Sequence, residues 1–164
     1  MADPDSRIDA VAQALKSLGS LCDRGFALAA HIRLIRPTLL YQTYSAAWAE
    51  HYSMMGYMIK DPVVGWGLGQ TGMIRWSDLS DPAKDPAGVM KDAERFGLAN
   101  GWTYSTGPAS SRTISGTPKS GADFTESERK TVMGLVDAIH EATDGFDAFP
   151  APVQQALRDL GHRG

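Results

Sequence analysis

The segments of this chain that read as strands come in neighbouring pairs set apart by helices. That order limits the fold more than any other feature. Consecutive parallel strands need a crossover of a dozen or more residues, usually a helix, and no regular strand–helix alternation is present. Paired strands with short connections point to an α+β domain built on an antiparallel sheet. Phe26 to Ile35 reads as one strand, ended by Pro37, and Thr38 to Thr43 as a second. Trp102 to Thr106 and Ser111 to Thr117 read as a hairpin around Gly107-Pro108.

The helices between and around these pairs carry their own signals. Over residues 5–21, Ile8, Val11, Ala12, Leu15 and Leu18 recur at helical spacing, with Asp3 and Asp5 suited to the N-terminus and Gly25 as the break. Residues 45–58 read as a helix capped by Thr43 or Ser45. Asp61-Pro62 has the form of a cap followed by a first-turn proline. Residues 77–87 read as a loop with Pro82, Pro86, Asp78, Asp81 and Asp85. A helix over about 86–98, containing Asp92, ends at Asn100-Gly101, a pair suited to left-handed backbone. Thr125 and Glu128 form a capping box before a helix that buries Val132, Leu135, Val136 and Ile139. A last helix near Pro152 aligns Val153, Ala156, Leu157 and Leu160.

Composition excludes several classes. A chain of 164 residues is one ordinary domain and can bury a sizeable core. Its net charge of -3, with the basic residues scattered, argues against a dedicated nucleic-acid-binding surface. No stretch is apolar for long enough to span a membrane. The polar N-terminus, MADPDSRIDA, does not read as a secretory signal, so the expected location is the cytoplasm. The lone cysteine, Cys22, has no internal partner for a disulfide.

No motif nominates an enzyme. Gly67-x-Gly69-x-x-Gly72 matches a dinucleotide fingerprint as a string, but no helix pattern opens at its third glycine. It reads as a turning loop. His31, His51, His140 and His162 lie far apart and show no metal-ligand spacing. No nucleophile elbow occurs. Catalytic residues, metal ligands and cofactors are therefore all expected to be none.

The informative residues are Tyr44, Trp48 and Tyr52, four apart and hence on one helix face, followed by Asp61 and Trp76. An aromatic stripe alone reads first as core. These three, however, all carry a polar handle, which needs a partner when buried. Asp61 either caps the next helix or accepts a ligand N–H. If it faces the same space, its burial is costly without hydrogen bonds. An apolar pocket with a few convergent polar groups describes a small-molecule site.

The pattern Tyr44-x3-Trp48-x3-Tyr52-x8-Asp61-Pro62-Val63, with Trp76 fifteen residues after the aspartate, resembles the autoinducer-binding domain of LuxR-type quorum-sensing regulators. Phe96 to Gly101 looks like that family's helix-to-strand segment, and Asp123-Phe124-Thr125 like the entry to its long helix. The resemblance covers about residues 5–145. It implies an α–β–α sandwich around an antiparallel sheet of about five strands. It also implies an N-acyl-homoserine lactone between the sheet and one helical layer.

By the same resemblance, Trp48 would donate to the lactone carbonyl, Asp61 would accept the amide N–H, and Tyr44 would donate to the amide carbonyl. Tyr52 would pack on the acyl side and Trp76 would wall the lactone ring. Gly101 would allow close backbone approach, and Ser115, with Thr113 as rival, would offer a strand hydroxyl to the acyl chain. Trp66 and Trp102 are further tryptophans able to reshape the pocket. Residues 1–164 are expected to be a single sensing domain without the family's C-terminal helix-turn-helix. The implied role is an intracellular signal sensor, a homodimer or a heterodimer with a LuxR-type regulator. The alternative is a ligand-independent decoy that pairs with such a regulator.

Overall fold

In the computed structural model, which describes residues 4–162, β1 (Ala27–Arg33), β2 (Arg36–Gln42), β3 (Gly72–Arg75), β4 (Trp102–Thr106) and β5 (Arg112–Thr117) form one sheet. Its order is β2-β1-β5-β4-β3, and every neighbouring pair is antiparallel. The helices are α1 (Pro4–Leu21), α2 (Ala46–Met54), α3 (Pro62–Gly69), α4 (Val89–Arg95), α5 (Glu126–Thr143) and α6 (Ala151–Asp159). The expected role of Asp3 and Asp5 at the first helix, and the side chain of His162, lie outside the described residues.

The sheet separates two unlike layers. On one face, Leu28 and Ala30 of β1 and Leu39 and Tyr41 of β2 pack with Val11 and Leu18 of α1, Val132, Val136 and Ile139 of α5, and Leu157 of α6. Cys22 belongs to this core, and burial pushes its thiol up to about 12. On the other face, Ile32 and Ile114 meet Trp48, Val63, Trp76, Val89, Met90 and Leu98 from α2, α3, α4 and their connections. The result is an α–β–α sandwich with a five-stranded antiparallel sheet.

Several local expectations change. Pro37 does not end a strand: it lies within β2 opposite Ile32. This is tolerated because β2 is an edge, where a missing N–H removes no internal ladder bond. Residues 34–35 are instead the turn, with Leu34 at φ 60°. The helix expected over 45–58 stops at Met54. Gly56 then takes φ 63° and a short 3₁₀ turn covers Tyr57–Ile59. Ser45, not Thr43, is its cap, accepting from Trp48 N.

The glycine-rich stretch is not a loop but most of α3, followed by β3, a strand its short length concealed. Gly67 has a packing role: a Cβ there would stand 2.5 Å from Ile114 Cδ1 on β5. In the loop before α4, Asp85 is buried and accepts the Val89 and Met90 amides at 2.9 and 2.8 Å. That fork starts α4 three residues later than the pattern suggested. At its far end the helix stops at Arg95, Gly97 is left-handed at φ 82°, and of the pair Asn100-Gly101 only Asn100 is, at φ 51°. The capping box of Thr125 and Glu128 is present as expected.

His31 marks a break in β1. Its φ is 51°, and the register between β1 and β5 shifts between Ala29 and Ile32. The imidazole turns toward α5, where it stacks on His140 at 4.4 Å. Its Nδ1 pairs with Ser111 Oγ at 2.7 Å and its Nε2 lies 3.0 Å from Thr143 Oγ1. Burial, with the neighbouring His140, holds its pKa below the ordinary histidine value. The unfolded chain therefore takes up this proton first as pH falls. Stability from this group is complete above about pH 6.5 and is lost below it, at up to about 1.4 kcal/mol per pH unit. Urea unfolding between about pH 7.5 and about pH 5.5 should show that slope in the wild type, and a smaller one in His31→Gln.

Candidate ligand-binding site

A cavity of about 200 Å³ opens between the sheet and the layer of α2, α3 and α4. The alternation of the strands explains why space remains there. Leu28 of β1 points to the other face, while Ala27, Ala29 and Gly116 border the cavity. Its remaining wall is mostly apolar, with Val63, Val64, Val89, Met90, Ala93 and Ile114 among the lining residues.

Six of the seven residues singled out from the sequence border this one space: Tyr44, Trp48, Tyr52, Asp61, Trp76 and Ser115. Trp48 and Tyr52 are brought in by α2, with their rings edge to face at 5.7 Å. Tyr44 precedes that helix, and its hydroxyl donates to Gly116 O at 3.1 Å. The indole N–H of Trp48 has no hydrogen-bond partner among the described residues.

Asp61 takes the capping role and also borders the cavity. One carboxylate oxygen accepts the Val63 amide at 2.8 Å, capping α3, and the other accepts the Tyr52 hydroxyl at 2.8 Å. Burial raises its pKa above the ordinary carboxylate value, while these two hydrogen bonds oppose the rise. Burial, with the charge of Asp61, also pushes the Tyr44 and Tyr52 phenols up. Both therefore stay neutral and able to donate.

Trp76 enters the wall from the short turn after β3. Its indole N–H donates to Thr103 Oγ1 at 2.9 Å, so only the ring faces the cavity. Gly101 lies behind this ring and does not line the space. A Cβ on Gly101 would stand 2.1 Å from Trp76 Cδ2. The close approach at Gly101 is thus made by a side chain of this chain, because the ring lies flat on that backbone.

Ser115 is corrected too. It borders the cavity, but its cross-strand partners are Leu28 and Tyr104, which pack on the opposite layer. Period two turns its hydroxyl to their side, toward Tyr104 O at 3.4 Å. Thr113 shares that face and pairs with His140 Nδ1 at 2.6 Å. Neither hydroxyl enters the cavity. Trp102 is remote as well, with Arg75 and Arg129 over its ring and Asp123 on its N–H. Trp66 packs against the cavity-side core without lining the space.

Sequence reasoning missed the support behind Trp48. Phe96 and Tyr57 lie 5.1 and 6.2 Å from its ring. Asp92 accepts from both His51 and the Tyr57 hydroxyl, tying α2 and the following turn to α4. These hydrogen bonds hold Asp92 below the usual carboxylate range. His51 and Asp92 are 41 positions apart, and no local pattern links them.

The model of the autoinducer binding domain family matches residues 3–142. The chain belongs to this family. The domain is thus the ligand-sensing part of LuxR-type quorum-sensing transcriptional regulators. Over 60 residues it is 37% identical to the transcriptional activator protein SolR of Ralstonia nicotianae; the match covers 36% of this chain and 24% of SolR.

Among solved structures, it resembles the N-acylhomoserine lactone-dependent LuxR family transcription factor CepR2 of Burkholderia cenocepacia. The TM-score is 0.58 at 17% identity, covering 93% of this chain and 98% of that one. Escherichia coli SdiA aligns with a TM-score of 0.62 at 18% identity, over 90% of this chain and 63% of SdiA. SdiA is also known in complex with octanoyl-rac-glycerol. The domain thus spans less than two thirds of SdiA, and its match a quarter of SolR. These likenesses agree with the sandwich fold. Family and fold are those of signal-binding regulators rather than enzymes.

The Gly101–Trp76 contact gives a direct check on the wall. Gly101→Ala should displace the indole and destabilise the domain by about 1–3 kcal/mol, the usual cost of overpacking. Urea unfolding monitored by tryptophan fluorescence would read this. An unchanged midpoint would mean that the ring does not rest on that backbone.

Proposed function

We propose that this domain binds an N-acyl-homoserine lactone-type signal inside the cell, within the cavity beneath α2 and α3. The observation that carries the reading is the pairing of a buried acceptor with an unused donor in one apolar space. Asp61 offers a carboxylate to an amide N–H, and Trp48 offers an N–H to a carbonyl. Tyr44 and Tyr52 are neutral donors able to turn from protein acceptors to a ligand oxygen. An acyl amide with a lactone head needs one acceptor and several donors, set in an apolar wall. CepR2 is described as N-acylhomoserine lactone dependent, which supports the same ligand class. SdiA accepts octanoyl-rac-glycerol, so an acylglycerol is the natural comparison probe.

In this reading the domain works by binding alone. Ligand stabilises the folded state by mass action and so prepares it to pair with a second copy or with a LuxR-type regulator. A ligand-independent decoy would have no need of a cavity that keeps a donor unpaired.

Thermal-shift titration with N-octanoyl-homoserine lactone tests the reading. Wild-type protein should be stabilised, and Asp61→Asn should bind about 10- to 150-fold more weakly, matching the loss of a charged hydrogen bond. Lys130→Ala, on the exposed side of α5, should bind as the wild type does. Equal stabilisation of all three proteins would refute the assignment. The pH dependence has a definite sign. The ionised carboxylate accepts the amide N–H, so affinity should fall as pH drops through the raised Asp61 pKa. Asp61→Asn should remove that dependence in titrations across acidic pH.

A further inference from the structure

The cavity lining is shut from solvent in some places and open to it in others. Val89, Ala93 and Leu98 are 1%, 4% and 5% exposed. Three other lining residues are large, apolar and open to solvent: Ile35 at 54%, Leu40 at 52% and Met58 at 41%. They come from the β1–β2 turn, from β2 and from the 3₁₀ turn between α2 and α3. The Tyr44 hydroxyl sits over Gly116 on β5, the central strand, away from the β2 edge that carries Leu40. The Tyr44 hydroxyl and the Trp76 ring meet over Gly116, within 3.1 and 3.2 Å of where its Cβ would stand, and Trp48 leans on Phe96.

We propose that the apolar tail of the ligand leaves the cavity through this mouth and lies over Ile35, Leu40 and Met58, so that the domain favours long-chain acyl signals. The inference rests on the function proposed above and extends it to chain length. Two observations carry it. At about 200 Å³ the enclosed space is smaller than the roughly 300–1,000 Å³ of pockets that engulf a drug-sized ligand. It suits a headgroup and a short stretch of chain. The exposed apolar rim is also continuous with the cavity wall, since the same three residues belong to both. A chain emerging there keeps gaining apolar contact, whereas in a closed pocket it would meet a wall. With the head held at Tyr44 over β5, the tail runs toward the β2 edge and its apolar rim.

The test compares N-butanoyl-, N-octanoyl- and N-dodecanoyl-homoserine lactone on wild-type protein and on a Leu40→Gln/Met58→Gln double variant. Both positions are half exposed, so the variant is expected to fold; circular dichroism would check this. In the wild type, affinity should rise along the whole series. Each buried methylene is worth at most about fourfold, and less at a half-open rim. The double variant should lose about tenfold or more for the dodecanoyl ligand and less than about twofold for the butanoyl one.

A wild-type optimum at butanoyl, with dodecanoyl excluded, would overturn the open mouth while leaving the function intact. Equal weakening of all three ligands by the double variant would do the same. So would a loss of self-association by the variant, in sedimentation, without any change in chain-length preference; the rim would then be a contact between copies. Failure of every lactone to bind folded protein would instead refute the proposed function, and this inference with it.

Discussion

The carboxylate of Asp61 is gripped from two directions, by the Val63 amide and by the Tyr52 hydroxyl. The cavity is arranged around that grip. A buried charge is tolerated only when its lone pairs are satisfied, and here each oxygen answers to a different element. The first bond starts α3 directly under β5, where Gly67 lets the helix settle against Ile114. The second anchors the end of α2, which carries Trp48. A single side chain thereby sets the distance between two helices and places the site's acceptor between them.

The rest of the architecture protects this arrangement by treating the two sheet faces differently. One is packed with Leu28, Leu39 and Tyr41 against α1, α5 and α6 and serves as a foundation. The other keeps a void where Ala27, Ala29 and Gly116 border it. The left-handed backbone at His31 changes the side on which β1 presents its residues. The imidazole is drawn into the α5 layer, while the next residue, Ile32, faces the cavity. The clamp of His51, Tyr57 and Asp92 then closes α2 onto α4. Rigidity comes from the filled face and specificity from the unfilled one.

Much of this was legible before any coordinates. The strand pairs, the capping box of Thr125 and Glu128, the Asp61 cap and the aromatic ladder at 44, 48 and 52 are local signals, carried by residues within a turn or two of each other. Tyr44, Trp48, Tyr52, Asp61 and Trp76 stand out by their spacing alone, and all five border the cavity. Where reading failed, a distant neighbour outweighed local preference. The glycines of α3 look like a loop until Gly67 is seen packed against Ile114. Pro37 looks like a strand end until β2 is seen to be an edge. Ser115, and Thr113 as its rival, look available until the register turns both to the face away from the cavity.

With α3 and β3 as the exceptions, local sequence sets most of the element types, the antiparallel class and the chemistry of the site. Those depend on periodicity, caps and side-chain identity, all written along the chain. Tertiary structure alone decided three things. It left a void on one face of the sheet, gave Gly101 to Trp76 rather than to a ligand, and joined Asp92 to His51 across 41 positions. Each depends on which surfaces meet once the helices dock. Packing and hydrogen bonding act over a few ångströms in space, however far apart the residues lie along the chain.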